Sequence, residues 1–185
     1  MNTKTITRTG LAVALVIVAQ FIGKMVPAGA VIFGPFSTNQ LITGSLVNLI
    51  LIVSGAAIGL WPGVTVGVLS AILATLLGVG PIFPLITPAI AVGNALIVLV
   101  TWLFFRKSAK PGYTATNLAG VVSGAAVKCA FLWITVPMLF QFIPEIKPPQ
   151  IAALSIMFSW PQAITGVVGG LLALAVLPAL KKAAR

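Results

Sequence analysis

The feature that most constrains this chain is the stretch from Gln40 to Phe105, which carries no charged side chain. Three apolar segments lie within it, at 41–60, 64–80 and 86–105. An α-helix needs about 20 residues to cross a hydrocarbon core of about 30 Å, and the middle segment is at the short end of that range. A chain surrounded by lipid must close its backbone hydrogen bonds within each segment. The stretch is therefore predicted to form three transmembrane helices.

Three further apolar segments, at 10–26, 115–142 and 151–180, bring the predicted spans to six. Only 6% of the residues are charged, whereas a soluble domain carries about a quarter. The sequence therefore predicts a single all-α, polytopic membrane domain over 1–185, with six transmembrane helices and no separate ATPase domain.

The net charge of +10 is explained by membrane topology and not by nucleic acid binding. Six spans bring eight basic residues to one side, namely Lys4, Arg8, Arg106, Lys107, Lys110, Lys181, Lys182 and Arg185. The other side has two, Lys24 and Lys147. By the positive-inside rule the first side, with both termini, is predicted to be cytoplasmic, in a prokaryotic plasma membrane. Most of the charge is expected to set this orientation and to contact anionic lipid.

The chain has too few of the residues that catalysis commonly uses. The chain has no histidine, one acid (Glu145) and one cysteine (Cys129). Acid–base chemistry, carboxylate or cysteine metal sites and Ser-His-Asp triads all need more of these residues, and no Gly-Lys-Ser/Thr loop for ATP is present. We therefore expect no enzyme activity and no cofactor. Energy for active transport would have to come from a partner.

Lys128 is the most informative polar residue, because it lies near the middle of the fifth span. Insertion scales put a lysine at that depth at about +2.5 to +3.5 kcal/mol, and no span contains an acid to pair with it. It is predicted to face a watered cavity or an anionic ligand; the alternative is a snorkelling or carbonyl-bonded lysine. For the amides Asn48 and Asn94, ligand contact and helix–helix packing remain equally open.

Aromatic and amide residues gather toward the predicted outer side. Pro161 is expected to free a backbone carbonyl in the sixth span, and Trp133 and Trp160 offer flat faces for a heterocyclic molecule. Residues of the outer connections are candidates for a lid. The predicted substrate-binding set is Phe36, Asn39, Phe83, Asn94, Lys128, Trp133, Trp160 and Gln162.

Several pairs of small residues recur at four-residue spacing, which lets helices approach closely. They are Gly10-x-x-x-Ala14, Gly55-x-x-x-Gly59, Gly63-x-x-x-Gly67, Gly120-x-x-x-Gly124 and Gly166-x-x-x-Gly170. The pair in the first span, Gly10 and Ala14, is predicted to contact a partner helix.

The chain resembles the substrate-binding S components of energy-coupling factor (ECF) vitamin transporters. The resemblance covers the length, the six spans, the long first outer loop and two stretches in particular, 41–48 (LITGSLVN) and 87–94 (TPAIAVGN). It implies a membrane receptor that captures a vitamin-like nutrient from outside. The receptor would associate with a transmembrane coupling subunit and two cytoplasmic ATPases, which alone use ATP, and would topple in the membrane to deliver its substrate.

The resemblance also implies where partner and substrate bind. The family carries an Ala-x-x-x-Ala face on its first helix for the coupling subunit, and Gly10-x-x-x-Ala14 is the nearest match here. Its substrate sites use the outer connections and the outer parts of helices four to six, which hold the eight residues named above.

Two other functions remain open from the sequence. One is an autonomous channel or facilitator for a small solute, and the other is a structural assembly subunit without a ligand. Substrate identity is not fixed: the lysines favour a carboxylated or phosphorylated molecule, while pyridoxine-like and other flat molecules remain possible.

Overall fold

The structure, a computed structural model, describes residues 2–25, 31–33, 36–108 and 110–183, with backbone only for 31–33. Its helices are α1 Thr3–Met25, α2 Thr38–Ala57, α3 Leu60–Leu76, α4 Thr87–Phe105, α5 Ala115–Leu139, α6 Pro148–Met157 and α7 Trp160–Ala183. Two short strands, β1 Val31–Phe33 and β2 Phe36–Ser37, pair antiparallel before α2. The all-α membrane fold is confirmed, and the small hairpin is an addition that the sequence did not predict.

Five helical segments in the described part of the chain are long and apolar enough to cross a membrane, and together they cover every predicted span except the third. The third predicted span corresponds to α3, which has 17 residues and is shorter. The chain is therefore a multi-pass membrane protein by the length and composition of its helices.

Helix α3 begins and ends four residues earlier than the segment 64–80 because glycines set both ends. Gly59 has φ 137°, a conformation that favours glycine, and it turns the chain out of α2. Pro62 follows within the first turn of α3, where its missing N–H costs nothing. Gly78, with φ 66°, closes the helix: its N–H donates to Thr75 O, and Val79 N–H donates to Ala74 O.

The predicted sixth span, 151–180, is divided in two by a turn at residues 158–159. Pro161 lacks the N–H that a continuous helix would donate to Met157 O, and its ring would crowd that carbonyl. Here Pro161 instead occupies the first turn of α7, where it is compatible with helix.

At the other end of the chain, α1 starts at Thr3, seven residues before the predicted Gly10. It does so because Asn2 Oδ1 accepts from Thr5 N–H at 2.9 Å and caps the helix.

The most extensive helix contacts are α2 with α7, α4 with α5, α3 with α4 and α5 with α7. The start of α1 and the end of α7 lie at the same end of the bundle, because Arg8, Ile58 and Lys181 line one groove. Lys24 lies at the opposite end, where its Nζ donates to Gly78 O at 3.1 Å. The two ends of the bundle thus differ in positive charge. The cytoplasmic location of the basic end stays a prediction. Arg185, which was counted at that end, lies outside the described residues.

Candidate functional site

Glycines on α7 bring the helices of the site together. A Cβ added at Gly169 would lie 2.5 Å from Ser45 O and 2.8 Å from Asn48 Cβ, both on α2. A Cβ added at Gly166 would lie 2.8 Å from Ala125 Cβ on α5. Because α7 has glycine facing both neighbours, α2 and α5 approach it at backbone distance. This packing places the side chains of Asn48 and Lys128 within reach of each other.

Lys128 lies inside the bundle and is 4% exposed. Its Nζ donates to Asn48 Oδ1 on α2 and to Asn94 Oδ1 on α4, each at 2.8 Å. Both asparagines are themselves buried. Of the sequence alternatives for Lys128, a lysine snorkelling to an interface is wrong, since its amine is held between three helices. A carbonyl-bonded lysine agrees with the structure, the carbonyl oxygens being those of two asparagine side chains.

A wider network holds the two asparagines in place. Asn94 Nδ2 donates to Gly67 O and to Ser70 Oγ on α3, each at 3.2 Å. Asn48 Nδ2 donates to Thr165 Oγ1 on α7 at 3.4 Å. With both amide nitrogens engaged, both amide oxygens are directed at Lys128, and five helices meet at this point.

Lys128 has no acidic partner. Glu145, the only acid in the chain, lies in the connection between α5 and α6 and is exposed. An ammonium group has three N–H donors. Among the described residues, Asn48 and Asn94 are the acceptors for Lys128, so the protonated amine has one N–H beyond those that bind them. A further acceptor could therefore bond to the protonated amine without displacing either asparagine.

A second polar cluster lies where α6 meets α7. The carbonyl freed by Pro161 is that of Met157, as its position four residues earlier requires. It accepts from Gln162 Nε2 at 3.0 Å and from Gln40 Nε2 of α2 at 3.2 Å. The predicted free carbonyl is thus present, and two amide side chains already bond to it.

Phe36 and Trp160 pack together beside this cluster. Phe36, in β2, is 2% exposed, and its ring meets that of Trp160 edge to face, with centroids 5.2 Å apart. Thr165 follows Trp160 by five residues, about 7.5 Å along α7. The aromatic pair therefore stands about one and a half turns of α7 from the residue that bonds Asn48.

Three of the predicted site residues lie apart from Lys128. Trp133 is 59% exposed and points out of the bundle, because it follows Lys128 by five residues, about 140° around α5. Asn39 lies on the face of α2 toward α1, where it accepts from Thr43 Oγ1 at 3.1 Å and lies close to Gly23. Phe83 packs on an apolar cluster that includes Leu132 and Phe158. The structure thus groups Lys128 with Asn94, and Phe36 with Trp160, while Gln162 belongs to the Met157 cluster.

The predicted docking pair on α1 is accessible. Gly10 and Ala14 are both exposed, and a Cβ added at Gly10 would meet nothing within 4 Å. The other four small-residue pairs lie at helix contacts or, in the case of Gly59, at a turn. Gly10-x-x-x-Ala14 is therefore the one of the five pairs that faces away from the described bundle.

Sequence reasoning did not include Asn48, Thr165 or Ser70 in the predicted site, and it named Gln40 only as a candidate for the lid. Asn48 carried a signal, since it is an amide in an apolar span, but packing and ligand contact could not be separated. Thr165 lies three residues after Gln162 and thus on the same side of α7. Ser70 gave no signal, because single hydroxyls in apolar helices commonly bond to their own backbone.

Comparison of the chain with protein-family models, with curated proteins and with solved structures finds no match.

Proposed function

We propose that this protein is a substrate-binding membrane subunit of an ECF-type transporter. It captures a small, water-soluble, vitamin-like nutrient from outside and passes it to a transmembrane coupling subunit with two cytoplasmic ATPases. The observation that carries the proposal is Lys128, a buried lysine amine held by two amide oxygens in a bundle whose spans contain no acid. The proposed location is the plasma membrane of a prokaryote.

A ligand role explains Lys128 better than a packing role does. Amides and hydroxyls suffice to join helices in a membrane, and a lysine at that depth adds an insertion cost of about 2.5 to 3.5 kcal/mol. An anionic group on the ligand supplies the missing countercharge and the acceptor for the third N–H. Intramembrane ionisable residues commonly mark such sites. The substrate is therefore a molecule with a carboxylate or phosphate, and Trp160 with Phe36 covers its less polar part.

The same shortage of acids favours a receptor over a self-sufficient pump. Ion-coupled carriers use carboxylates or histidines as relays, and this chain has one exposed acid and no histidine. Partner subunits therefore supply the energy, and the exposed face of α1 around Gly10 and Ala14 is available for the coupling subunit.

Reconstitution tests this function directly. We expect the purified chain to carry a co-purified small molecule, detected by native mass spectrometry. In sealed vesicles the chain alone should bind this molecule but neither concentrate nor equilibrate it. Equilibration without ATPases would instead establish the alternative, an autonomous facilitator, and accumulation would contradict both.

A substitution that supplies an internal countercharge tests the role of Lys128. In Asn48→Asp, one carboxylate oxygen faces Lys128 Nζ. The Thr165 hydroxyl, which donates to Gln162 O at 3.3 Å, can turn to donate to the other carboxylate oxygen instead. The empty protein should be as stable as wild type or more so, whereas retention of the co-purified ligand should fall about tenfold or more. Thermal unfolding and native mass spectrometry report the two effects.

Thr165→Val is the matched control. It removes the partner of Asn48 Nδ2 without adding charge, so stability should fall slightly and ligand retention should change much less than in Asn48→Asp. Equal ligand retention in Asn48→Asp and wild type would show that the charge of Lys128 is not what the ligand neutralises.

A further inference from the structure

A groove at the basic end of the bundle has no role in the proposed function. It has a volume of about 520 Å³ and lies among α1, α2 and α7. Its lining residues are apolar or small except at one end, and they are Leu11, Ala12, Leu15, Leu49, Ile50, Val53, Ser54, Ala57, Ile58, Val176, Leu180 and Ala183. Arg8 and Lys181 complete it. The groove is thus an apolar trough with two cations at its mouth.

The depth of the groove corresponds to one leaflet of a membrane. It extends over eight residues of α1, from Arg8 to Leu15, and over ten residues at the end of α2, from Leu49 to Ile58, which directly follows that helix. These lengths correspond to roughly 10 to 14 Å along the helices. Half of a hydrocarbon core of about 30 Å is about 15 Å. The cations therefore stand at the level of lipid headgroups and the apolar lining at the level of acyl chains.

The polar groups of the groove suit a lipid and not a protein segment with polar side chains. Ser54 Oγ already donates to Ile50 O at 2.6 Å, so the body of the groove has no side-chain hydroxyl left to donate. Arg8 and Lys181 are both exposed. A guanidinium and an ammonium lining the same groove suit a phosphate, because the guanidinium can donate two parallel hydrogen bonds and both carry positive charge.

We propose that this groove binds one anionic glycerophospholipid, with its phosphate between Arg8 and Lys181 and an acyl chain along Leu15, Ile50 and Val176. Positive charge at the mouth selects an anionic headgroup over a zwitterionic one. The proposal is independent of the substrate site, because no lining residue of the groove belongs to the Lys128 network.

Native mass spectrometry of the whole chain in detergent, with added phosphatidylglycerol or phosphatidylcholine, tests the proposal. Wild type should retain phosphatidylglycerol in preference to phosphatidylcholine. The double variant Arg8→Gln/Lys181→Gln should lose this retention by about tenfold or more. Lys107→Gln/Lys110→Gln is the matched control, since it removes the same charge at the same end from exposed residues that do not line the groove. It should retain the lipid as wild type does.

A second pair of variants tests the apolar part without changing charge. Leu15→Trp places a ring in the groove and should displace the lipid, whereas Val18→Trp, on an exposed part of α1 outside the groove, should not. Equal retention of the two lipids by wild type, or equal loss in both charge variants, would overturn the proposal. So would retention unchanged by Leu15→Trp, which would leave the groove to another occupant such as a partner helix.

Discussion

Replacing Lys128 with methionine should abolish ligand capture while leaving the bundle folded. Methionine has nearly the length of lysine, so it fills the same space between α2, α4 and α5. The ligand loses its countercharge in a medium of low dielectric, and we expect its affinity to fall by about 100-fold or more. Loss of the co-purified molecule in native mass spectrometry, or equilibrium titration once the molecule is identified, measures the effect.

The stability of Lys128→Met should change little because two effects oppose each other. Asn48 Oδ1 and Asn94 Oδ1 each lose a donor, which costs about 1 to 3 kcal/mol apiece. Removing the lysine from the membrane interior avoids its insertion cost and so stabilises the protein by about 2.5 to 3.5 kcal/mol. Thermal unfolding in detergent should therefore be near that of wild type, and this separates lost binding from lost folding.

Lys147→Met is the control for a general effect of charge. It removes one positive charge from an exposed residue between α5 and α6 and should leave ligand retention unchanged. A Lys128→Met protein that still carries its ligand at the wild-type level would contradict the role assigned to this lysine and, with it, the observation on which the proposed function stands.

The membrane fold could be predicted because the hydrocarbon core of a membrane permits few backbone structures. Apolar length alone identified the second, fourth and fifth helices within three residues at each end. The ends of α3 and the break before α7 were harder, since they depend on what single residues do locally. Gly59 and Gly78 move α3 by a whole turn, and Pro161 is compatible with a helix start as well as with a kink.

The sequence predicted which spans hold the candidate site, but not which side of each helix faces the interior of the bundle. Lys128 and Trp133 both lie in the fifth span, about 7.5 Å apart along α5, and the helix phase makes the first an interior residue and the second an exposed one. Leu132, one turn from Lys128, is 1% exposed, which identifies the interior face and leaves Trp133 outside it. The partners of Lys128 depend on how α2, α4 and α7 rotate against α5. That rotation is set by glycines at contacts such as Gly169, which composition does not reveal.

The close approach of α7 to α2 should be the least tolerant feature of the structure. Gly169→Ala adds a Cβ that would lie 2.5 Å from Ser45 O and 2.8 Å from Leu49 N, and backbone atoms cannot turn aside as a side-chain end can. Helix α7 must therefore move away from α2. We expect a loss of about 1 to 3 kcal/mol for Gly169→Ala and a larger one for Gly169→Val, measured by unfolding of the purified protein.

The same displacement should reach the candidate site, because Asn48 lies against Gly169 and directs its oxygen at Lys128. Gly169→Ala is thus expected to weaken ligand retention as well as stability, although residue 169 forms no hydrogen bond within the Lys128 network. Gly10→Ala and Gly10→Val are the matched controls: a Cβ there meets nothing within 4 Å, and both residues are better helix formers than glycine. Unfolding of the Gly10 variants should match or exceed wild type. Equal stability of the Gly169 and Gly10 variants would mean that α2 and α7 do not meet at backbone distance, and the geometry that holds Asn48 against Lys128 would then be wrong.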